Sequence, residues 1–317
     1  MTQLYPPVEP YATDTLSVSP LHTIFYKQSG KSDGLPALFL HGGPGAGILP
    51  DYRRFFDPNI YRLILPDQRG AGRSTPAAEL KENSTCEIVD DLEKLRSHLA
   101  IEKWVVMGGS WGSTLALSYA IRYPESILGL IIRGVFLARS EEMDWLYHAG
   151  GASQIYPDAW ERFISPLNHN GNRETLVLYY KLLTSDKPSV RMEAAQCWAA
   201  WEASIMTLLP NLESVKEMTS GESALNIARI ECHFALNKFF MPTDNYLLEN
   251  AYLINDIPLR IVQGRYDVIC PVSSAWDLHK AMSHSDLHII PDGAHSPMDT
   301  GMAEALVEGS EDFKNLY

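Results

Sequence analysis

The chain has 317 residues, 45% of them hydrophobic and 21% charged, with a formal net charge of −13. That length allows one large domain or a core with an insert, and that charge argues against nucleic acid, whose phosphates need a basic footprint. No run of 18 apolar residues occurs, so no membrane partner is expected, and Met1-Thr2-Gln3-Leu4-Tyr5-Pro6-Pro7 lacks the basic and apolar regions of a signal peptide.

Residues 1–20, rich in proline and polar side chains, read as an irregular arm. Strands are expected over Leu21–Gln28, Ala37–Leu40 and Tyr61–Pro66. Ser84, with Glu87 three residues later, has the form of a capping box, and Ile88, Leu92, Leu95 and Leu99 then fall on one helical face. A strand over Trp104–Met107, a helix stopped by Pro124 and a strand over Leu128–Arg133 follow. Strands alternating with helices imply an α/β fold with a mostly parallel sheet covered on both faces.

The rhythm changes in the next hundred residues, where strand-like runs are few and Arg191–Leu209 and Ala224–Phe239 read as helices. It resumes with a strand over Leu259–Gln263, a helix near Val272–Met282, a strand over Leu287–Ile290 and a last helix after Gly301. The expected organisation is a core formed by residues 1–137 and 247–317, interrupted by a helical cap over 138–246. Cys86, Cys197, Cys232 and Cys270 are scattered and form no C-x-x-C pair, which suits a reducing cytoplasm.

Gly108-Gly109-Ser110-Trp111-Gly112 stands between a strand and a helix and has the G-x-S-x-G form of a nucleophile elbow. Small residues on either side let so tight a turn pass itself, and its tip would present the Ser110 hydroxyl. A serine needs a base within reach, and the base needs an orienting acid. In hydrolases built on such an elbow the chain order is serine, acid, histidine. Asp267 follows the Leu259–Gln263 strand and His295 follows the Leu287–Ile290 strand, so the three fall at strand ends that can meet. The oxyanion hole of an acyl transfer takes one N–H from the residue after the nucleophile, here Trp111. The second comes from the Gly-rich loop after an early strand, where His41-Gly42-Gly43-Pro44-Gly45 makes Gly43 the candidate. The glycines at 42, 43, 45 and 47 do not satisfy G-x-G-x-x-G, and no cofactor is expected. His284 and His288 have the spacing of a zinc helix but no glutamate follows His284, and they overlap a strand, so they are read as surface and no metal is expected.

His41-Gly42-Gly43-Pro44-Gly45, Asp67-Gln68-Arg69-Gly70-Ala71-Gly72-Arg73-Ser74 and Gly108-Gly109-Ser110-Trp111-Gly112-Ser113-Thr114-Leu115 together resemble the prolyl aminopeptidase (proline iminopeptidase) family, over nearly the whole chain. The resemblance implies an α/β-hydrolase fold with a helical cap, the triad Ser110, Asp267 and His295, and a peptide substrate with a free N-terminal proline. It also implies that cap carboxylates bind the substrate's amino end. Trp198-Ala199-Ala200-Trp201-Glu202 looks like the family's W-x-x-W-E, which carries over Glu202, and Ala228-Arg229-Ile230-Glu231 carries over Glu231. Arg133 matches a family arginine near those carboxylates and Phe136 a residue lining the proline pocket. A desolvated carboxylate interacts strongly with a cation beside it, and a nearby arginine would keep it ionised. After Glu202 this chain has Ala203-Ser204 where some relatives carry a second acid. Two other readings use the same residues: a carboxylesterase or amidase on the same triad, which needs no amine recognition, and a non-catalytic binding protein, which would lack a triad member. The sequence assigns no oligomeric state.

Overall fold

The computed structural model describes residues 4–167 and 174–316; Met1–Gln3 of the arm, 168–173 of the insert and Tyr317 lie outside them. Strands β1 (Ala12–Ser17), β2 (Thr23–Gly30), β3 (Leu35–Leu40), β4 (Tyr61–Pro66), β5 (Trp104–Ser110), β6 (Ile127–Val135), β7 (Leu259–Gly264) and β8 (Asp286–Ile290) form one eight-stranded sheet. Its order is β1-β2-β4-β3-β5-β6-β7-β8. β2 runs antiparallel to both of its neighbours, β1 and β4, and every other adjacent pair is parallel.

Helices α1 (Thr85–His98) and α2 (Trp111–Arg122) join β4 to β5 and β5 to β6. Between β6 and β7 the described residues contain no strand. Helices α3 (Ser140–Tyr147), α4 (Pro157–Ile164), α5 (Thr175–Leu183), α6 (Pro188–Ile205), α7 (Leu212–Met218), α8 (Gly221–Leu236) and the single turn α9 (Tyr246–Glu249) occupy that stretch. Helix α10 (Val272–Ala281) joins β7 to β8, and α11 (Thr300–Phe313) follows β8. No helix among the described residues is long and apolar enough to cross a membrane.

Side chains alternate across each strand, so the sheet feeds two cores. Ala37, Phe39, Leu63, Val105, Met107 and Val262 pack with Met302 and Leu306 of α11 on one face. Leu38, Leu40, Ile64, Val106, Ile132 and Ile261 face the other way, into a larger core shared with α1, α2, α10 and the helices between β6 and β7. The mostly apolar sequences of β3 to β7 are what burial on both faces requires.

Two expectations need correction. The arm read as irregular contains β1, an edge strand that is mostly exposed. Main-chain pairing with β2, from Ala12 opposite Gln28 to Ser17 opposite Thr23, holds it, so its sequence carries no hydrophobic period. The long helices of the insert start earlier than the apolar pattern indicates. α6 opens on Pro188, whose fixed φ suits a first turn, and α8 opens at Gly221, ahead of its first buried residue, Ala224. Ser84 caps α1 as expected by accepting the Glu87 N–H, at 3.5 Å, but the Glu87 carboxylate takes the Ser84 hydroxyl, at 2.8 Å.

The parallel strands all point their C-terminal ends to one edge. The loops that begin at His41, Asp67, Ser110, Phe136, Arg265 and Pro291 therefore gather there.

Candidate active site

Ser110 ends β5 and Trp111 begins α2, so strand turns into helix with no residue between. The turn forces Ser110 to φ 58°, ψ −128°, a conformation that costs a non-glycine residue about 1–3 kcal/mol. The chain can bend this sharply because it touches itself at glycines. A Cβ on Gly108 would overlap the Gly112 carbonyl, and one on Gly112 would overlap the Leu40 carbonyl. The Ser113 hydroxyl then fastens the turn, donating to the Ser110 carbonyl at 2.7 Å and accepting the Phe136 N–H at 3.0 Å.

Asp267 and His295 meet as the chain order anticipated. His295 Nδ1 lies 2.8 and 3.0 Å from the two Asp267 carboxylate oxygens, and both residues are buried. A carboxylate there accepts the Nδ1 proton and leaves Nε2 unprotonated, the tautomer a general base needs. Asp267 also accepts the Cys270 N–H at 2.8 Å and a Gln263 amide proton at 3.2 Å. Gln263 is itself fixed by the Val135 N–H and the Cys270 carbonyl. A Cβ on Gly134 would come within 3.0 Å of His295 Cε1, which places the imidazole against the end of β6, where Val135 is the register partner of Ser110. Cys270 lies beside these groups: its N–H holds Asp267, and its thiol is buried. Burial pushes that thiol up, followed by the Asp267 charge, so it stays protonated.

The loop after β3 stands against the serine. A Cβ on Gly42 would sit 3.4 Å from Ser110 Cβ and 3.9 Å from its Oγ. No loop or cap hydrogen bond among the described residues uses the N–H of Gly43 or of Trp111. Trp111 lies in the first turn of α2, where N–H groups have no intrahelical acceptor and the helix dipole favours negative charge.

Glu202 on α6 and Glu231 on α8 are both buried. The Tyr147 hydroxyl donates to Glu202 at 3.0 Å, the Trp198 indole N–H donates to Glu231 at 2.8 Å, and the two carboxyl groups are hydrogen-bond partners of each other. Burial raises the pKa of both. Glu231 rises further because the Glu202 charge faces it. Each carboxyl group therefore holds its proton more tightly than an exposed glutamate does. The helices of this pair lead to the histidine loop and to Trp111, the residue after the serine. One turn beyond Glu202, the Met206 carbonyl accepts the N–H of His295 at 3.1 Å and of Ser296 at 3.2 Å. Nearly one turn beyond Glu231, the Phe234 ring lies 5.1 Å from the Trp111 ring. Phe136 is edge-on to Phe239 at 4.8 Å and completes an aromatic wall.

Arg133 is not beside the glutamates. Its half-buried guanidinium donates to the His295 carbonyl at 2.8 Å. Burial lowers its pKa, against Tyr52, Asp267, Cys270 and Asp299, its charged and polar surroundings. The reason is local packing: Gly109, beside Arg133 in the β5–β6 register, has no Cβ, and the arginine side chain fills that space. The proton affinity of the glutamates is set by burial, each other, Tyr147 and Trp198, with no cation among these groups. Tyr147, Gln263 and the indole donor of Trp198 were not assigned from sequence. Trp198 and Glu202 share a helix face at a spacing of four, which is a usable signal; Tyr147 carries none. No cluster of metal-ligand side chains occurs among the described residues.

Comparison with known proteins extends this picture. The family model described as alpha/beta hydrolase fold matches residues 36–301. A probable proline iminopeptidase of Leptolyngbya boryana is 50% identical over 315 residues, covering 99% of this chain and 97% of that protein. The proline iminopeptidase of Arabidopsis thaliana is 51% identical over 314 residues, covering 99% of this chain and 82% of that protein. Among solved structures, a bromoperoxidase from Bacillus anthracis aligns with a TM-score of 0.67 at 19% identity, over 95% of this chain and 99% of that one, a likeness of fold alone.

Proposed function

The chain belongs to the proline iminopeptidase family of α/β-hydrolase-fold proteins, and from that membership we infer that it is a serine exopeptidase releasing N-terminal proline from peptides. The observation that carries the exopeptidase reading is the Glu202–Glu231 pair. Two carboxyl groups are buried together with no cation beside them among the described residues, an arrangement that costs stability unless a cation is brought in. The prolyl ammonium of a free amino terminus is such a cation. An acylated or internal proline is not.

In this reading the segment 138–246 caps the core formed by 1–137 and 247–317. The prolyl ammonium binds Glu202 and Glu231, and its ring lies against Phe136. Ser110 Oγ attacks the prolyl carbonyl while His295 Nε2 takes its proton, with Asp267 orienting the imidazole. The oxyanion accepts hydrogen bonds from the Gly43 and Trp111 N–H groups. As the C–N bond breaks, His295 returns the proton to the leaving amine. The prolyl ester on Ser110 is then attacked by a water that His295 deprotonates, and proline leaves. Arg133 supports this chemistry by holding the His295 carbonyl and not by binding substrate. Four free cysteines suit action in the cytoplasm.

Product analysis tests the assignment. Incubation with Pro-Xaa-Yaa tripeptides should release free proline and intact Xaa-Yaa, while the N-acetylated tripeptides remain whole. Comparable cleavage of acetylated peptides would contradict amine recognition and indicate a general amidase or esterase.

A further inference from the structure

The Asp67-Gln68-Arg69-Gly70 segment has no part in the steps above, yet it is buried at their centre. Asp67 accepts the Ile48 N–H at 2.7 Å and the Arg73 N–H at 2.9 Å. Arg69 pairs with Asp91 of α1 at 2.5 and 2.8 Å. These contacts anchor the segment to its own loop, to the loop after β3 and to α1. Gln68 is different, because it touches both loops assigned to the oxyanion hole. Its side-chain N–H donates to the His41 carbonyl at 2.9 Å, and its side-chain oxygen accepts the Trp111 indole N–H at 2.7 Å.

We infer that Gln68 is a positioning residue that holds the two oxyanion-hole donors, Gly43 N–H and Trp111 N–H, at a fixed separation across the Ser110 hydroxyl. This rests on the serine-peptidase reading and specifies how its oxyanion hole is kept in shape. The His41 carbonyl is two residues before Gly43, and the indole belongs to Trp111 itself. One amide group therefore spans the gap between the loops, with its donor on one side and its acceptor on the other. Gln68, His41 and Trp111 are 3%, 0% and 0% exposed, so water does not compete for these bonds.

His41 makes the brace stiffer. Its Nε2 accepts the Gln68 main-chain N–H at 3.1 Å, which places the ring proton on Nδ1; Nδ1 then donates to the Gly42 carbonyl at 2.9 Å, the shorter of its two contacts, the Gly47 nitrogen being 3.3 Å away. Burial lowers the His41 pKa and keeps the ring neutral, as this pattern requires. The peptide that ends in the Gly43 N–H begins at that Gly42 carbonyl. Aiming the carbonyl at His41 thus fixes the direction of the N–H on the other side of the same planar group. Oxyanion donors act only when aimed at the position the oxygen reaches in the transition state, so a loosened brace should cost turnover and not ground-state binding.

The test is a kinetic split in Gln68→Met and Trp111→Phe, each removing the bridge from one side. On a prolyl arylamide, Gln68→Met should lower kcat about 10–100-fold and leave KM within about threefold. Binding of prolinal, whose hemiacetal oxygen occupies the hole, should weaken in step with kcat, while inhibition by free proline stays as in wild type. Trp111→Phe, which keeps the ring, should lose about 10-fold in kcat, and the double variant should be no slower than Gln68→Met, because both act through one bridge. Wild-type kcat in folded Gln68→Met, a loss carried by KM, or additive effects in the double variant would each overturn the inference. If Gln68→Met does not fold, Trp111→Phe decides alone: unchanged kcat overturns the brace. A wild-type enzyme that fails to cleave the arylamide would instead refute the peptidase reading on which the brace rests.

Discussion

Ser110→Ala is expected to lower kcat on a prolyl arylamide by about 10⁵-fold or more, the loss typical of removing a nucleophile from a Ser-His-Asp set. Labelling by a fluorophosphonate should disappear with it, and KM should change little, because the Glu202–Glu231 pair and the aromatic wall are untouched. The backbone supplies a second, independent result. At φ 58° an alanine is strained as the serine is, whereas glycine is not. Ser110→Gly should therefore be as inactive as Ser110→Ala but more stable than it by about 1 kcal/mol in denaturant unfolding. Residual turnover above a hundredth of wild type in Ser110→Ala would remove the serine from the chemistry. Equal stability of the two variants would show that the elbow stores no strain.

Glu231→Gln should move activity and stability in opposite directions. The neutral amide can still accept the Trp198 indole proton and donate to Glu202, so the local hydrogen bonds survive. What is lost is a group able to become a second negative charge beside the substrate ammonium, and kcat/KM for a free-amine substrate should fall about 10²-fold. Stability should rise. Burial, then the Glu202 charge, raises the folded pKa of Glu231 well above the ordinary 4.5. The folded chain thus retains a proton that an unfolded glutamate releases near that value. Stability contributed by this group is present in acid and is lost as pH climbs from about the ordinary carboxylate pKa upward. Replacing the glutamate removes that loss, and Tm should increase by about 2–4 °C at pH 7–8, with the gain shrinking toward pH 4.5. A lower Tm in Glu231→Gln at neutral pH would mean that the carboxylate is a structural contact and not a group kept for a cation.

Much of this arrangement was legible in the sequence, for identifiable reasons. β3 to β7 are largely buried on both faces, so they read as mostly apolar runs. Ser110 ends β5, Asp267 follows β7 and His295 follows β8, and strand ends are where a parallel sheet places its chemistry. β1 was illegible because main-chain pairing holds it at an exposed edge. The position of Arg133 was illegible for a different reason. Its side chain goes where a glycine on the neighbouring strand leaves room, and the His295 carbonyl to which it donates is distant from it in chain order. The state of the glutamate pair also depends on that placement. An arginine beside them would lower their pKa values; without one, burial and the facing carboxyl group raise them. Tyr147 makes one side-chain hydrogen bond and Gln68 two, all between segments far apart in the chain, which no local pattern records.

The central claim, that a cap carboxylate pair admits only substrates with a free prolyl amine, is tested most directly by one ratio. It is kcat/KM for a prolyl arylamide over that for its N-acetylated twin, measured in wild type and in Glu202→Gln. A ratio above about 10³ in wild type that falls at least about tenfold in Glu202→Gln, through loss on the free amine, is the expected result. A wild-type ratio near one, or a high ratio indifferent to Glu202→Gln, would contradict the claim.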